Sequence, residues 1–229
     1  NAVINDTEDN GNVVYTLNGI DSDVVSGGTV TATLVGGGTT INGTVDRGAG
    51  TLTFSSSDVQ SLPEGDLTLN AVVTDAAGNS KSVQNTSIKY DKTIDASPAL
   101  ALSLGANAVI NDTEDNSNVV YSLTGIDSDV VSGGTVTATL AGGGTTINAT
   151  VDKGAGTLTF SSSDVKSLPE GDLTLNAVVT DAAGNNKSVQ NTSIKYDRTI
   201  DDGSALAFDL GANAVINDTE DDGNVVYTL

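Results

Sequence analysis

Asp75-Ala76-Ala77-Gly78-Asn79 and Asp181-Ala182-Ala183-Gly184-Asn185 are the same five residues, and each follows an apolar run that reads as a strand. A carboxylate, a Gly turn exposing backbone carbonyls and a side-chain amide supply three kinds of oxygen donor in one loop. Calcium takes about 6–8 such oxygens at flexible geometry, whereas magnesium demands a near-octahedral site and keeps several waters. Further acids recur in turns: Asp21 and Asp23 as Asp127 and Asp129, Glu8 and Asp9 as Glu114 and Asp115. Glu64 and Asp66 return as Glu170 and Asp172, and Asp91 and Asp95 return as Asp197 and Asp201. Asp-x-Asp at 21–23 and 127–129 reads either as a ligand pair or as a turn. Asp and Asn also favour turns for backbone reasons alone, so no single loop establishes a metal site.

Other chemistries are largely excluded. The 229 residues contain no Cys or His, which removes thiol and imidazole catalysis and zinc sites of the His/Cys kind. Glu64 and Asp66 imitate a glycosidase acid pair, but at 3% aromatics there is no platform for a sugar ring, and no enzyme is expected. A formal charge of −21, from 30 acidic and 9 basic residues, repels nucleic acid and anionic membranes and points toward cations. No apolar run approaches the roughly 18 residues of a bilayer span, so no direct membrane insertion is expected. No basic-then-apolar leader opens the sequence, and any export signal or anchor is expected outside it.

The elements that must position these acids come in tandem. NAVINDTED begins at 1, 107 and 213, a period of 106 residues, and 1–95 differs from 107–201 at nine positions, none of which removes a carboxylate. A unit this long can bury a core of its own. Within each copy the period is two: Val30 to Leu34, Thr51 to Phe54 and Leu67 to Val73 alternate apolar with small polar residues. About seven short strands in about 100 residues, with turn signals between them, is the pattern of an immunoglobulin-like sandwich. Ser57 to Leu62 reads as a single helical turn capped by Ser57, with Gln60 reaching back. Val83 has the opposite parity to Ile88 and Tyr90, which predicts either a bulge or a late start in the last strand.

Tyr90-Asp91-Lys92-Thr93-Ile94-Asp95, then a strand, then Ala108 to Glu114, Leu168-Pro169-Glu170-Gly171-Asp172-Leu173 and Val178 to Asn185 together resemble a known pattern. The chain resembles the bacterial Ig-like repeats that extend giant secreted adhesins of the RTX type, and is similar to the calcium-binding Ig-like repeats of other very large adhesins. Family linkers often carry a proline; here Pro98 stands in the first linker and Ser204 in the second. The resemblance implies an all-β fold of tandem immunoglobulin-like antiparallel β-sandwich domains joined head to tail by short linkers. It sets the domain register: 1–94 as a repeat lacking its first strand segment, 95–200 as a complete repeat, and 201–229 as the opening of a third.

Alternating strand direction then sorts the loops. Asn111 to Asp115, Glu170, Asp172 and Asp197 fall at one end of a repeat; Asp95, Asp127, Asp129, Asp152, Asp181 and Asn185 fall at the other. In a head-to-tail array the two ends meet, and carboxylates crowded there would raise one another's pKa unless a divalent cation took up the charge. Calcium is therefore the expected cofactor, and neighbouring repeats of the same chain are the expected partners. The expected role is a calcium-rigidified spacer on a bacterial cell surface, secreted, with the adhesin's target bound elsewhere in the parent protein. Direct binding of a glycan, protein or cell by the repeats is the other reading. Near-identical loops favour the spacer, since a binding array tends to vary the loops that touch targets.

Overall fold

The computed structural model describes residues 2–94 and 99–200. Asp95 and Asp201 lie outside the described residues, as does 201–229. The first repeat runs β1 (Val3–Ile4), β2 (Val13–Thr16), α1 (Ser22–Gly27), β3 (Thr29–Gly36), β4 (Thr39–Asp46), β5 (Thr51–Phe54), α2 (Ser56–Val59), β6 (Gly65–Thr74) and β7 (Ser80–Tyr90). The second runs β8 (Ala101–Ser103), β9 (Val109–Ile110), a 3-10 turn (Glu114–Asn116), β10 (Val119–Thr124), α3 (Ser128–Ser132) and β11 (Thr135–Gly142). It continues through β12 (Thr145–Asn148), β13 (Thr150–Asp152), β14 (Thr157–Phe160), α4 (Ser162–Val165), β15 (Gly171–Thr180) and β16 (Asn186–Tyr196).

Alternation puts one side chain of each pair into a core. In the second repeat two sheets, β12-β11-β15-β16-β9 and β13-β14-β10-β8, close over Leu140, Leu158, Phe160, Leu175 and Tyr196, all fully buried. The first repeat encloses Leu34, Leu52, Phe54 and Tyr90 in the same way. Here the strands form one continuous sheet, because β4 pairs with both β3 and β5. Its counterpart breaks between β12 and β13 at Ala149, where the first repeat has Gly43. A Cβ on Gly43 would sit 3.0 Å from the Phe54 ring, so the methyl of Ala149 accounts for the local parting.

The sandwich is antiparallel with one exception per repeat: β1 runs parallel to β7, and β9 to β16. The bulge is present, since Leu67 faces Ile88 while Leu69 faces Asn85, leaving Thr68 opposite both Thr86 and Ser87. The helical turn is present too, but its cap is Ser55 and not Ser57. Ser55 keeps extended backbone at the end of β5 and accepts from Asp58 N at 3.2 Å, and its hydroxyl donates to Asp58 Oδ2 at 2.6 Å. Gln60 donates instead to the Asp9 carbonyl, at 3.1 Å.

Candidate metal centre at the junction between repeats

The loop after β15 is shaped by its own acid. Asp181 Oδ1 accepts from the backbone N–H groups of Gly184 at 2.8 Å and Asn185 at 2.9 Å, and Oδ2 accepts from Asn185 Nδ2 at 2.9 Å. Gly184 sits at φ +97°, a left-handed conformation that few other residues adopt at low cost. Asp127 and Asp129 are presented by α3, a helix that sequence periodicity gives no sign of. Asp127 is its N-cap, accepting from Asp129 N at 3.1 Å and Val130 N at 3.3 Å. Asp129 Oδ1 accepts from Val130 N at 2.9 Å.

Backbone proximity fixes α3 against the Asp181 loop. A Cβ on Gly134 would lie 2.1 Å from the Thr180 carbonyl oxygen and 2.9 Å from Asp181 Cα, so only Gly permits this approach. Lys153 Nζ donates to the carbonyls of Val130 at 3.1 Å and Gly134 at 2.6 Å, satisfying groups left open at the helix end.

The first repeat closes the site. Asp91 follows β7, and its backbone N–H donates to the Ile4 carbonyl at 2.9 Å. Asn185 Nδ2 donates across the junction to Asp91 O at 2.8 Å and to Asp91 Oδ1 at 3.1 Å. In return Asp6 N donates to Asn185 Oδ1 at 3.0 Å, and Asn5 Nδ2 donates to the Ala183 carbonyl at 2.8 Å. Asp91, Asp181 and Asn185 are buried, at 8%, 3% and 5% exposure. Asp91, Asp129 and Asp181 each bring a carboxylate oxygen within 4.8 Å of the others, and they are the only such group of three among the described residues.

The electrostatics are those of a site with surplus negative charge. Asp129 is pushed up to about 6, first by a hydrogen bond with the Asp127 side chain, then by burial and the charges of Asp127 and Asp181. The same hydrogen bond, with N–H groups of Val130 and Asp129, holds Asp127 below the ordinary carboxylate range. Two ionised carboxylates have no proton to share, and with both charged Asp127 Oδ2 is buried without a hydrogen-bond partner. The pair is satisfied either by a proton on Asp129 or by a cation. Lys89 Nζ, 2.8 Å from Asp91 Oδ2, is one counter-charge. The donor set is all oxygen and mostly carboxylate, which fits a hard divalent ion of calcium type.

The first repeat carries the same loop outside a junction of described repeats. Asn79 N and Nδ2 donate to Asp75 at 2.8 and 2.7 Å, and Asp21 caps α1 through Val24 N at 3.3 Å, with Asp23 beside it at 3.0 Å. Asn79 is exposed, and the hydrogen bond from its side chain holds Asp75 below the ordinary carboxylate range. The loop therefore folds by itself, and the burial of Asp181 and Asn185 comes from docking.

The acids expected at the opposite end do not gather on one point. Glu8 and Glu114 accept from the backbone N–H groups of Asn5 at 3.2 Å and Asn111 at 3.1 Å. Asp9 and Asp115 are buried and accept from the hydroxyls of Tyr90 at 2.5 Å and Tyr196 at 2.7 Å. Asp115 also has Lys166 Nζ at 3.8 Å and Arg198 Nε at 4.0 Å. Glu64 holds the start of the linker through Lys92 N and Thr93 Oγ1, both at 2.9 Å, as Glu170 holds Arg198 N at 3.2 Å and Thr199 Oγ1 at 2.9 Å. Asp66 and Asp172 are exposed strand residues opposite Lys89 and Lys195. Asp197 lies 3.0 Å from Lys195, in the place Asp91 takes beside Lys89. Asn5 and Asp6 are junction residues that the sequence does not single out; the one signal for them is their loop's place at the end where β7 exits.

Two sandwiches of this topology, joined through a carboxylate-lined contact, define a tandem immunoglobulin-like module. Family models for the bacterial Ig-like domain match residues 5–92 and 97–198, and the chain belongs to that family. Among solved structures it is similar to a Ca2+-stabilized adhesin with which an Antarctic bacterium reaches out and binds ice. That likeness has 27% identity and a TM-score of 0.49, covering 85% of this chain and 46% of the other. It is also similar to a 1.5-MDa bacterial ice-binding adhesin, at 25% identity and a TM-score of 0.49, covering 89% of this chain and 63% of the other. A bacterial immunoglobulin-like domain of the M. primoryensis ice-binding adhesin gives 24% identity and a TM-score of 0.30, covering 43% and 94%. The chain thus spans about half to under two thirds of the first two structures it matches. The comparison with curated proteins found no match. Among the described residues no helix is long and apolar enough to cross a membrane.

Proposed function

We propose that this chain is an extender segment of a bacterial cell-surface adhesin, and that calcium bound between repeats stiffens it so that a distal domain is held away from the cell. The observation that carries this reading is the convergence of Asp91 from one repeat with Asp129 and Asp181 from the next. Asp127 adds a further carboxylate beside Asp129, while Asn185, expected as a ligand, turns its amide N–H groups to Asp91 and Asp181 and holds the acids in place. A cation there is tied to both repeats at once, so its binding energy opposes their separation. The like charges that otherwise repel across the contact become its ligands. The same reading gives Asp197, Asp21, Asp23, Asp75 and Asn79 equivalent duties at adjoining junctions, with Asp95 and Asp201 as linker acids. Secretion, anchoring and the adhesin's target belong to the parent protein.

Calorimetric titration with calcium tests this. Wild-type chain binds with a resolved site that Asp91→Asn weakens by about tenfold or more, equivalent to about 1.4 kcal/mol. Equal affinity and stoichiometry in the two proteins would remove Asp91 from the site and the junction from the mechanism.

A further inference from the structure

The junction acids come with a cation of their own. Lys89 stands on β7 two residues before Asp91, and its Nζ lies 2.8 Å from Asp91 Oδ2. The lysine side chain is half exposed, at 52%, and the carboxylate it meets is largely covered, at 11%. Asp91 Oδ1 accepts from Asn185 Nδ2, so both oxygens of this acid already have a donor. The lysine's charge also reaches across the contact, since it is one of the influences that hold Asp127 of the second repeat below the ordinary carboxylate range. Among the described residues no other ion pair is made by Asp91, Asp127, Asp129 or Asp181.

A second acid is within the lysine's reach. Lys89 is directly opposite Asp66 on β6, and residues so paired project from the same face of a sheet with Cβ atoms about 4.5–5.5 Å apart. Asp66 is exposed and is not among the acids that converge at the junction. One ammonium on a flexible four-carbon stem thus has two carboxylates to choose from, one inside the site and one on the strand beside it. The arrangement recurs at the exit of the second repeat, where Lys195 lies 3.0 Å from Asp197 Oδ2 and opposite Asp172.

We propose that Lys89 is a built-in counter-ion that a divalent cation displaces from Asp91 toward Asp66, so that this one lysine sets the calcium concentration at which the junction locks. The proposal rests on the calcium reading of the site. A divalent ion and an ammonium on the same carboxylate stand close enough to repel strongly even through water. In chelator the lysine offsets part of the repulsion among the four acids. In calcium it stands at Asp66, where an exposed pair gains or costs little. Lys89 therefore lowers calcium affinity and supports calcium-free docking, whereas a lysine that merely positioned Asp91 as a ligand would raise the affinity.

Calorimetric titration of the 229-residue chain with calcium, set beside hydrogen exchange of the Asp6 amide in chelator, tests this. Lys89→Gln binds calcium about tenfold more tightly than wild type, and its Asp6 amide exchanges faster in chelator. Lys89→Arg, which keeps the charge, binds no more tightly than wild type. Asp66→Asn, which removes the alternative seat, weakens binding in the wild-type background and loses most of that effect beside Lys89→Gln. Calcium affinity that is unchanged or weaker in Lys89→Gln overturns the inference, and leaves the calcium reading standing where Asp91→Asn still weakens binding. An Asp66→Asn effect of equal size in both backgrounds overturns it as well. A wild-type chain that binds no calcium overturns both the inference and the reading beneath it.

Discussion

Asn185 and Asn79 occupy identical loops, and replacing each with Ala separates what docking contributes from what the loop contributes. Asn185 is 5% exposed; its amide reaches Asp91 O, Asp91 Oδ1 and Asp181 Oδ2, and its carbonyl oxygen accepts from Asp6 N. All of these but the Asp181 bond cross the junction. Asn79 makes only the corresponding bonds to Asp75 and is exposed. A net hydrogen bond is worth about 1 kcal/mol, and a buried partner left unpaired costs about 1–3 kcal/mol. Two amide hydrogens shared among three acceptors do not count as three full bonds. Asn185→Ala therefore weakens the junction by about 2–4 kcal/mol, and Asn79→Ala by under about 1 kcal/mol. The local reporter is the Asp6 amide, whose exchange quickens by about 30-fold for each 2 kcal/mol lost by the junction. Urea unfolding of both variants gives the total. Equal costs for the two substitutions, or an Asp6 amide indifferent to Asn185→Ala, would refute docking through this side chain.

The remaining expectations concern protons and buried partners. In chelator, Asp129 at about 6 stands above its ordinary value of 3.8, so the folded junction holds this proton more tightly than the unfolded chain does. Its contribution is full at low pH and is lost as pH rises from about 4 through about 6; urea unfolding across that window shows the slope, and Asp129→Asn or saturating calcium removes it. Tyr196→Phe takes the hydroxyl from Asp115, which is fully buried, and lowers the second repeat's stability by about 1–3 kcal/mol in urea unfolding while leaving calcium binding at the junction unchanged.

The sandwich was legible because period-two alternation from Val30 to Leu34 and from Leu67 to Val73 commits each strand's inward face. The bulge was legible because Val83 and Ile88 break that parity. The ends were legible as well, since reversing strand direction brings Asp91 to the end that meets Asp181. Which acids converge was not. Asp127 and Asp129 read either as a ligand pair or as a turn, because an N-cap and a metal ligand call on the same residue types. A helix of five residues is too short to show a period. Asp115 looked like Asp181 in sequence, but a tyrosine 81 positions away is its hydrogen-bond donor, a pairing that only the closed sandwich creates. Asp6 entered through its backbone N–H, which no side-chain pattern advertises.

Small-angle scattering of the chain in calcium and in chelator, at concentrations where it is monomeric, tests the central claim most directly. On the proposed reading a cation held by Asp91, Asp129 and Asp181 fixes one repeat against the next, and without it the gathered carboxylates repel and small polar contacts between domains permit motion. The account predicts a larger maximum dimension and a narrower distribution of shapes in calcium, with Asp91→Asn resembling the chelated wild type while both repeats stay folded. Identical profiles in calcium and chelator, with both repeats folded, would contradict it.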